Sequence, residues 1–216
     1  RGVLNFGVKY ENVKAAGAIG LVVVNNRPGS FSGNLATGAT IPVVAVAEED
    51  GAEILAAAKA GDVLGIDAPP TVGLTKALNV IARPLEDAAC EVLVGGHFDT
   101  VRSAPGANDN ASGIANVLEI ARAMAVDGLD EGLCFAAFGA EESGLYGSKA
   151  LVERLRRAGE LPGYMVNLDV TGIGRRVEVI GNTAAAALAL RAAEEAGIEA
   201  VASVLPANSG SDHQSF

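Results

Sequence analysis

The chain has 216 residues, half of them hydrophobic, which is enough apolar material for one or two packed domains. Its net charge of −10 excludes a nucleic-acid backbone or an anionic membrane surface as the natural partner, because either would repel it. No apolar stretch reaches the roughly 18 residues that a membrane-spanning helix needs, so no span is expected in this sequence.

In chain order, a helix is expected over Tyr10–Ala16, a β-branched buried strand over Ile19–Val24, and a turn-rich NNRPGSFSGN segment after it. A strand at Ile41–Ala47 and a helix at Glu48–Ala60 complete a small α/β unit. Ala68-Pro69-Pro70 reads as a stiff linker, because proline donates no hydrogen bond and restricts the residue before it. Beyond it, strands are expected at Ala77–Ala82, Glu91–Gly95, Leu133–Phe138, Tyr164–Val170, Val177–Gly181 and Ala200–Leu205. The helices between them are Ser112–Ala125, Ser148–Arg157 and Ala184–Ala196, the first with Ile114, Val117, Leu118, Ala121 and Met124 on one apolar face. This alternation predicts an α/β fold whose mostly parallel or mixed sheet is flanked by helices, with its ligand crevice outside the carboxyl ends of the strands. Cys90 and Cys134 each open a different apolar run, so two free core thiols are expected, which leaves the redox compartment open.

The chemistry gathers at those strand ends. Only two histidines occur, His97 and His213, each near an aspartate in a Gly/Ser-flanked turn. The stretch GGHFDTVRSAPGANDNASG runs from Gly95 to Gly113, Glu141-Glu142 follow an apolar run, and Asp169 sits at another strand end. Each has an ordinary reading: a histidine after a strand is a hydrogen-bonded structural residue, Asn-Asp-Asn makes an Asx turn or a helix cap, Glu-Glu a solvated pair, Asp169 a turn cap, and Asp212 a loop hydrogen bond. Those readings must apply five times over, always at a strand end.

Zinc chemistry accounts for them together, since zinc takes imidazole nitrogen and carboxylate oxygen and keeps a position open for water. Asp99, two residues past His97, is placed to hold the imidazole through its second nitrogen. Asp109 has two oxygens with which to bridge a pair of metals. Of the adjacent Glu141 and Glu142, one can ligate while the other acts as general base.

The motifs GGHFDT, GANDNASG, GAEESGLYGS, NLDVTG and SGSDHQSF, in that order and spacing, resemble the M28 zinc aminopeptidases. The segments RGVLNFGVKYENVKAAGAIGLVVVNN and IPVVAVAEEDGAEIL resemble the protease-associated (PA) domain. The resemblance implies residues 1–69 as a partial PA domain and 70–216 as a zinc exopeptidase-like domain, the whole a fragment truncated at both ends and lacking the last sheet strand and terminal helix. It implies two zinc ions: His97 and Asp169 on one, Glu142 and His213 on the other, and Asp109 bridging them. Glu141 becomes the general base acting on a metal-bridging water, and Asp99 the acid that orients His97. A cis peptide is implied at Asp109-Asn110.

One departure stands at Ser215, where the family often has proline. The implied substrates are peptides with a free N-terminus, and the implied location is outside the cell or on its surface. A carboxypeptidase or dipeptidase of the same family would share every ligand. A single-zinc glutaminyl cyclase or a non-catalytic receptor on the same fold would not keep the full ligand set. Side-chain preference, oligomeric state, the physiological metal and the role of the PA domain, lid or spacer, are not readable from the residues.

Overall fold

The computed structural model describes residues 4–31, 33, 35, 38–68, 76–84, 89–101, 104–126, 128, 130–205 and 209–216. The chain divides into two compact units, Arg1–Leu74 and Thr75–Phe216. The Arg1-Gly2 start, Ser32 and Asn34 of the turn-rich segment, and the Pro69-Pro70 linker lie outside the described residues.

In the first unit, helix α1 (Phe6–Ala15) begins earlier than expected because the Asn5 side chain accepts the Val8 N–H and caps it. Strands β1 (Leu21–Val24) and β2 (Val43–Val46) pair in parallel. Helix α2 (Glu48–Ala60) forms where expected, with three acids in its first turn against the helix dipole and Gly61 in the left-handed conformation ending it. A side chain on Gly51 would overlap Val24, which shows how closely α2 lies on β1.

The second unit is organised by a four-stranded sheet. Its order is β3 (Val80–Ala82), β5 (Leu133–Phe138), β4 (Val92–His97), β6 (Tyr164–Asn167), with only β3 antiparallel. Strand side chains alternate between its two faces. Leu93, Cys134, Ala136 and Phe138 face helix α4 (Tyr146–Ala158), whose Leu151, Val152 and Leu155 recur at helical spacing. Val94 and Phe135 face Val117 of helix α3 (Ala111–Val126). The expected apolar face of α3 is broader than the one used: Leu118 is 65% exposed and Met124 42%. The line meeting the sheet is Gly113, Val117 and half-buried Ala121.

Three expectations are corrected. Cys90 and Cys134 are not free thiols but a disulfide, with Cα atoms 5.5 Å apart. The runs they open are neighbouring parallel strands, β4 and β5, so the two sulfurs meet at one end of the sheet. The fourth strand does not run to Val170: β6 ends at Asn167, and Val170 takes a positive φ of 53°. The last two strands, β7 (Val177–Val179) and β8 (Ala200–Ala202), do not join the main sheet. They pair in parallel with each other, linked by α5 (Thr183–Glu195).

Candidate metal centre

Parallel pairing of β4 with β5 and with β6 sets three carboxyl ends on one edge, and each end delivers acids or an imidazole there. His97 is the last residue of β4 and is 1% exposed. Its Nε2 lies 3.1 Å from Asp109 Oδ1, 3.4 Å from Asp169 Oδ1 and 4.0 Å from Glu141 Oε2. Two sets of ligand atoms lie within mutual reach: His97, Asp109 and Asp169, and His97, Glu141 and Glu142. The peptide between Asp109 and Asn110 is cis.

On its other side, His97 Nδ1 is 3.0 Å from the Asp99 carbonyl oxygen. A carbonyl only accepts, so Nδ1 carries a proton and Nε2 is the nitrogen turned toward the acids. The Asp99 carboxylate stands 3.7 Å from the same Nδ1 and also accepts the backbone N–H groups of Glu141 at 3.0 Å and Glu142 at 3.2 Å.

The turn bearing the two glutamates is further braced by Asn79, which donates to the Gly147 carbonyl and accepts the Gly139 N–H. His213 falls in neither set of ligand atoms. It sits half-buried on a 3-10 turn, Asp212–Ser215, in which Asp212 takes the buried position.

The residues present suit a zinc ion. Asp169 Oδ1 is buried without an aligned hydrogen-bond partner, 3.4 Å from His97 Nε2 and among other carboxylates. Oxygens gathered so closely repel one another unless a cation lies among them, and a nitrogen-and-carboxylate donor set is one zinc accepts.

The family of Peptidase family M28 matches residues 79–216, and the PA domain matches residues 1–54. The chain belongs to peptidase family M28. It is 34% identical over 184 residues to aminopeptidase YwaD of Bacillus subtilis, covering 81% of this chain and 38% of that protein. It is 36% identical over 168 residues to the probable lipoprotein aminopeptidase LpqL of Mycobacterium tuberculosis, covering 72% of this chain and 31% of that protein. The solved zinc aminopeptidase BSAP from Bacillus subtilis superposes on all of this chain and on 55% of its own, with a TM-score of 0.75 and 27% identity. The chain thus spans between a third and two-fifths of the first curated relative's length.

Electrostatics in this M28 chain separate the acids by role. Burial pushes the Glu141 carboxyl up to about 7, with Asp212, Glu142 and Asp169 adding like charge against the opposing pull of His97. A carboxyl held near neutrality is suited to taking up and returning a proton. Burial alone would depress His97, but the close approach and charge of Asp169, with Glu141, carry it up to about 9 in the metal-free protein. Burial would raise Asp169, yet the closeness of His97 and Ser211 holds it below its ordinary value. Burial lowers His213, against the charge of Asp169.

Two residues have surroundings that the sequence did not disclose. Asp212 is fully buried, neither of its oxygens accepts an aligned hydrogen bond, and burial raises its carboxyl above the ordinary value against the pull of the nearby Ser148 hydroxyl. Asn110 is 1% exposed, and its partners include residues far along the chain. The Asn-Asp-Asn triplet signalled a cap but not those distant partners.

Proposed function

We propose that this chain carries the hydrolytic centre of a zinc aminopeptidase, which removes N-terminal residues from peptides. The convergence of Asp109, Asp169 and Glu141 on the one nitrogen, His97 Nε2, carries the reading. His97 and Asp169 would hold one zinc, Glu142 and His213 a second, and Asp109 would bridge them. His213 is half-buried and near enough to Asp169 to feel its charge, which supports its place beside the cluster. When bound, zinc supplies Lewis acidity toward a scissile carbonyl and lowers the pKa of a nearby water.

The protein's own part is proton transfer and placement. Glu141, poised near neutrality, takes the proton of the attacking water and passes it to the departing amine. Asp99 holds the backbone from which Glu141 and Glu142 project, and acids left around the cluster would receive a substrate's α-ammonium group.

The disulfide between Cys90 and Cys134 favours an oxidising location, and the lipoprotein wording in a relative's name favours the cell surface. We take secretion or surface display as the setting.

The test is Glu141→Gln. It should keep its zinc, measured by elemental analysis, while turnover of aminoacyl anilides falls at least about a hundredfold. Near-normal turnover at full zinc occupancy would remove Glu141 from the mechanism. Chelator-sensitive cleavage of peptides with blocked N-termini would instead favour a carboxypeptidase or dipeptidase.

A further inference from the structure

We infer that Asn110 is a positioning residue whose carboxamide fixes the Asp169 turn relative to Asp109 and so sets the distance between two of the metal-binding acids. The inference rests on the proposed metal centre.

Asn110 follows Asp109 directly, and its side chain makes three bonds. Its Oδ1 accepts the Gly113 N–H at 3.0 Å and the Val170 N–H at 3.3 Å, and its Nδ2 donates to the Leu168 carbonyl at 2.9 Å. Leu168 and Val170 are the two neighbours of Asp169 in sequence, so one planar amide holds the backbone on both sides of that acid. The orientation of the amide follows from its partners: Leu168 O only accepts, and the two N–H groups only donate.

The pocket around this amide is fitted to it. A Cβ on Gly96 would stand 2.6 Å from Leu168 O and 3.2 Å from Asn110 Nδ2. One on Gly113 would overlap both Leu168 O and Asn110 Oδ1. Two strand or helix positions are thereby restricted to glycine so that β4, α3 and the end of β6 can close on one side chain. Val170 is held at a φ of 53°, a backbone conformation that is unfavourable for a β-branched residue and persists only where its surroundings enforce it. Its N–H bond to Asn110 is part of that enforcement.

Capping of α3 explains only the Gly113 bond. The other two reach 58 and 60 residues along the chain and do nothing for the helix. Asn110→Ser therefore separates the roles, since serine caps a helix as well as asparagine does but is too short to clasp both neighbours of Asp169.

The experiment titrates zinc into metal-free full chain and records the cobalt-substituted absorption spectrum for wild type, Asn110→Ala, Asn110→Ser and the core control Val117→Ala. Expected are an Asn110→Ser protein that melts close to wild type, a loss of zinc affinity of about 10–100-fold in both Asn110 variants, and shifted cobalt bands. Faster amide exchange at Val170 in metal-free Asn110→Ser would show the same release without any metal, and it decides the matter if the alanine variant does not fold. Zinc affinity within about twofold of wild type in Asn110→Ser, with an unchanged cobalt spectrum, overturns the inference. An equal affinity loss in Val117→Ala does so too, because general loosening would then suffice. A wild-type chain that takes up no zinc overturns the metal-centre reading itself, and this inference with it.

Discussion

The two turns that bring acids to His97 are held by different chemistry. The Glu141-Glu142 turn hangs from a charged strut, the Asp99 carboxylate, which accepts two successive backbone N–H groups. The Asp169 turn is gripped by a neutral one, the Asn110 carboxamide, which donates and accepts at once. Charge-assisted bonds are stronger but couple the turn to every nearby ionisation, whereas an amide fixes geometry without adding to an already negative site. The turn that carries the proposed base is thus electrically linked to its support, and the turn that carries ligand Asp169 is insulated from it.

Breaking the opposite end of the sheet should produce the largest change in stability and leave this comparison intact. The Cys90–Cys134 bond closes a sequence separation of 44 residues where β4 and β5 begin, while both turns leave from strand ends on the other edge. Replacing both cysteines by serine should cost about 2–5 kcal/mol in denaturant melts. Zinc uptake by the folded protein should stay as in wild type. A lowered zinc stoichiometry would mean that the turns depend on the far end of the sheet and not on their own struts.

Removing the charged strut comes next. Asp99→Ala frees both N–H groups of the glutamate turn, and zinc affinity or activity should fall about 10–100-fold. Asp99→Asn keeps one acceptor and turns an amino group toward the other N–H, so amide exchange should quicken mainly at one of Glu141 and Glu142. Were Asp99 acting only through His97, exchange at both amides would match wild type in either variant.

These struts also show what a sequence discloses. His97, Asp99, Glu141, Glu142 and Asp169 stood out in the sequence because each stands at or just past the end of an apolar run, and strand ends in a parallel sheet share an edge, whereas Asp109 stood out only through its Gly/Ala/Asn turn. Helix α2 and strand β5 were legible for a similar local reason, a clear period bounded by acids or turns. What escaped depends on which strands become neighbours. The disulfide required knowing that β4 lies beside β5. The clasp of Asn110 required the β6 end to arrive at the start of α3. The second contact of Asp99, with the glutamate turn, required that turn to fold back over it.

Within Asp212–Ser215 the aspartate is fully buried and His213 half-buried, a difference the composition of the turn does not disclose. The breadth of the α3 face misled, because Leu118 and Met124 keep helical spacing while only the Val117 line meets the sheet.

The smallest expected effects are in pH dependence, and they separate the two struts most cleanly. In the metal-free protein His97 has its pKa raised to about 9 from an ordinary 6.5, and Glu141 is raised to about 7 from 4.5. Both groups bind a proton more tightly in the native state than in the unfolded chain, so both contributions weaken as pH rises. The histidine term is fully present below about pH 6.5 and is lost as pH passes about 9. The glutamate penalty grows from about pH 4.5 and is complete above about 7.

Melting of the metal-free protein should therefore decline from pH 5 to about 9, while zinc, which competes with the His97 proton, gains affinity over the upper part of that range. A metal-free melting temperature that climbs with pH would contradict this. Asp99 is among the like charges that raise Glu142, so Asp99→Ala should ease that acid downward and alter the slope. Asn110→Ser removes no charge and should reproduce the wild-type slope even where it weakens zinc. Identical pH slopes in both variants would show that the Asp99 carboxylate supports its turn as geometry alone.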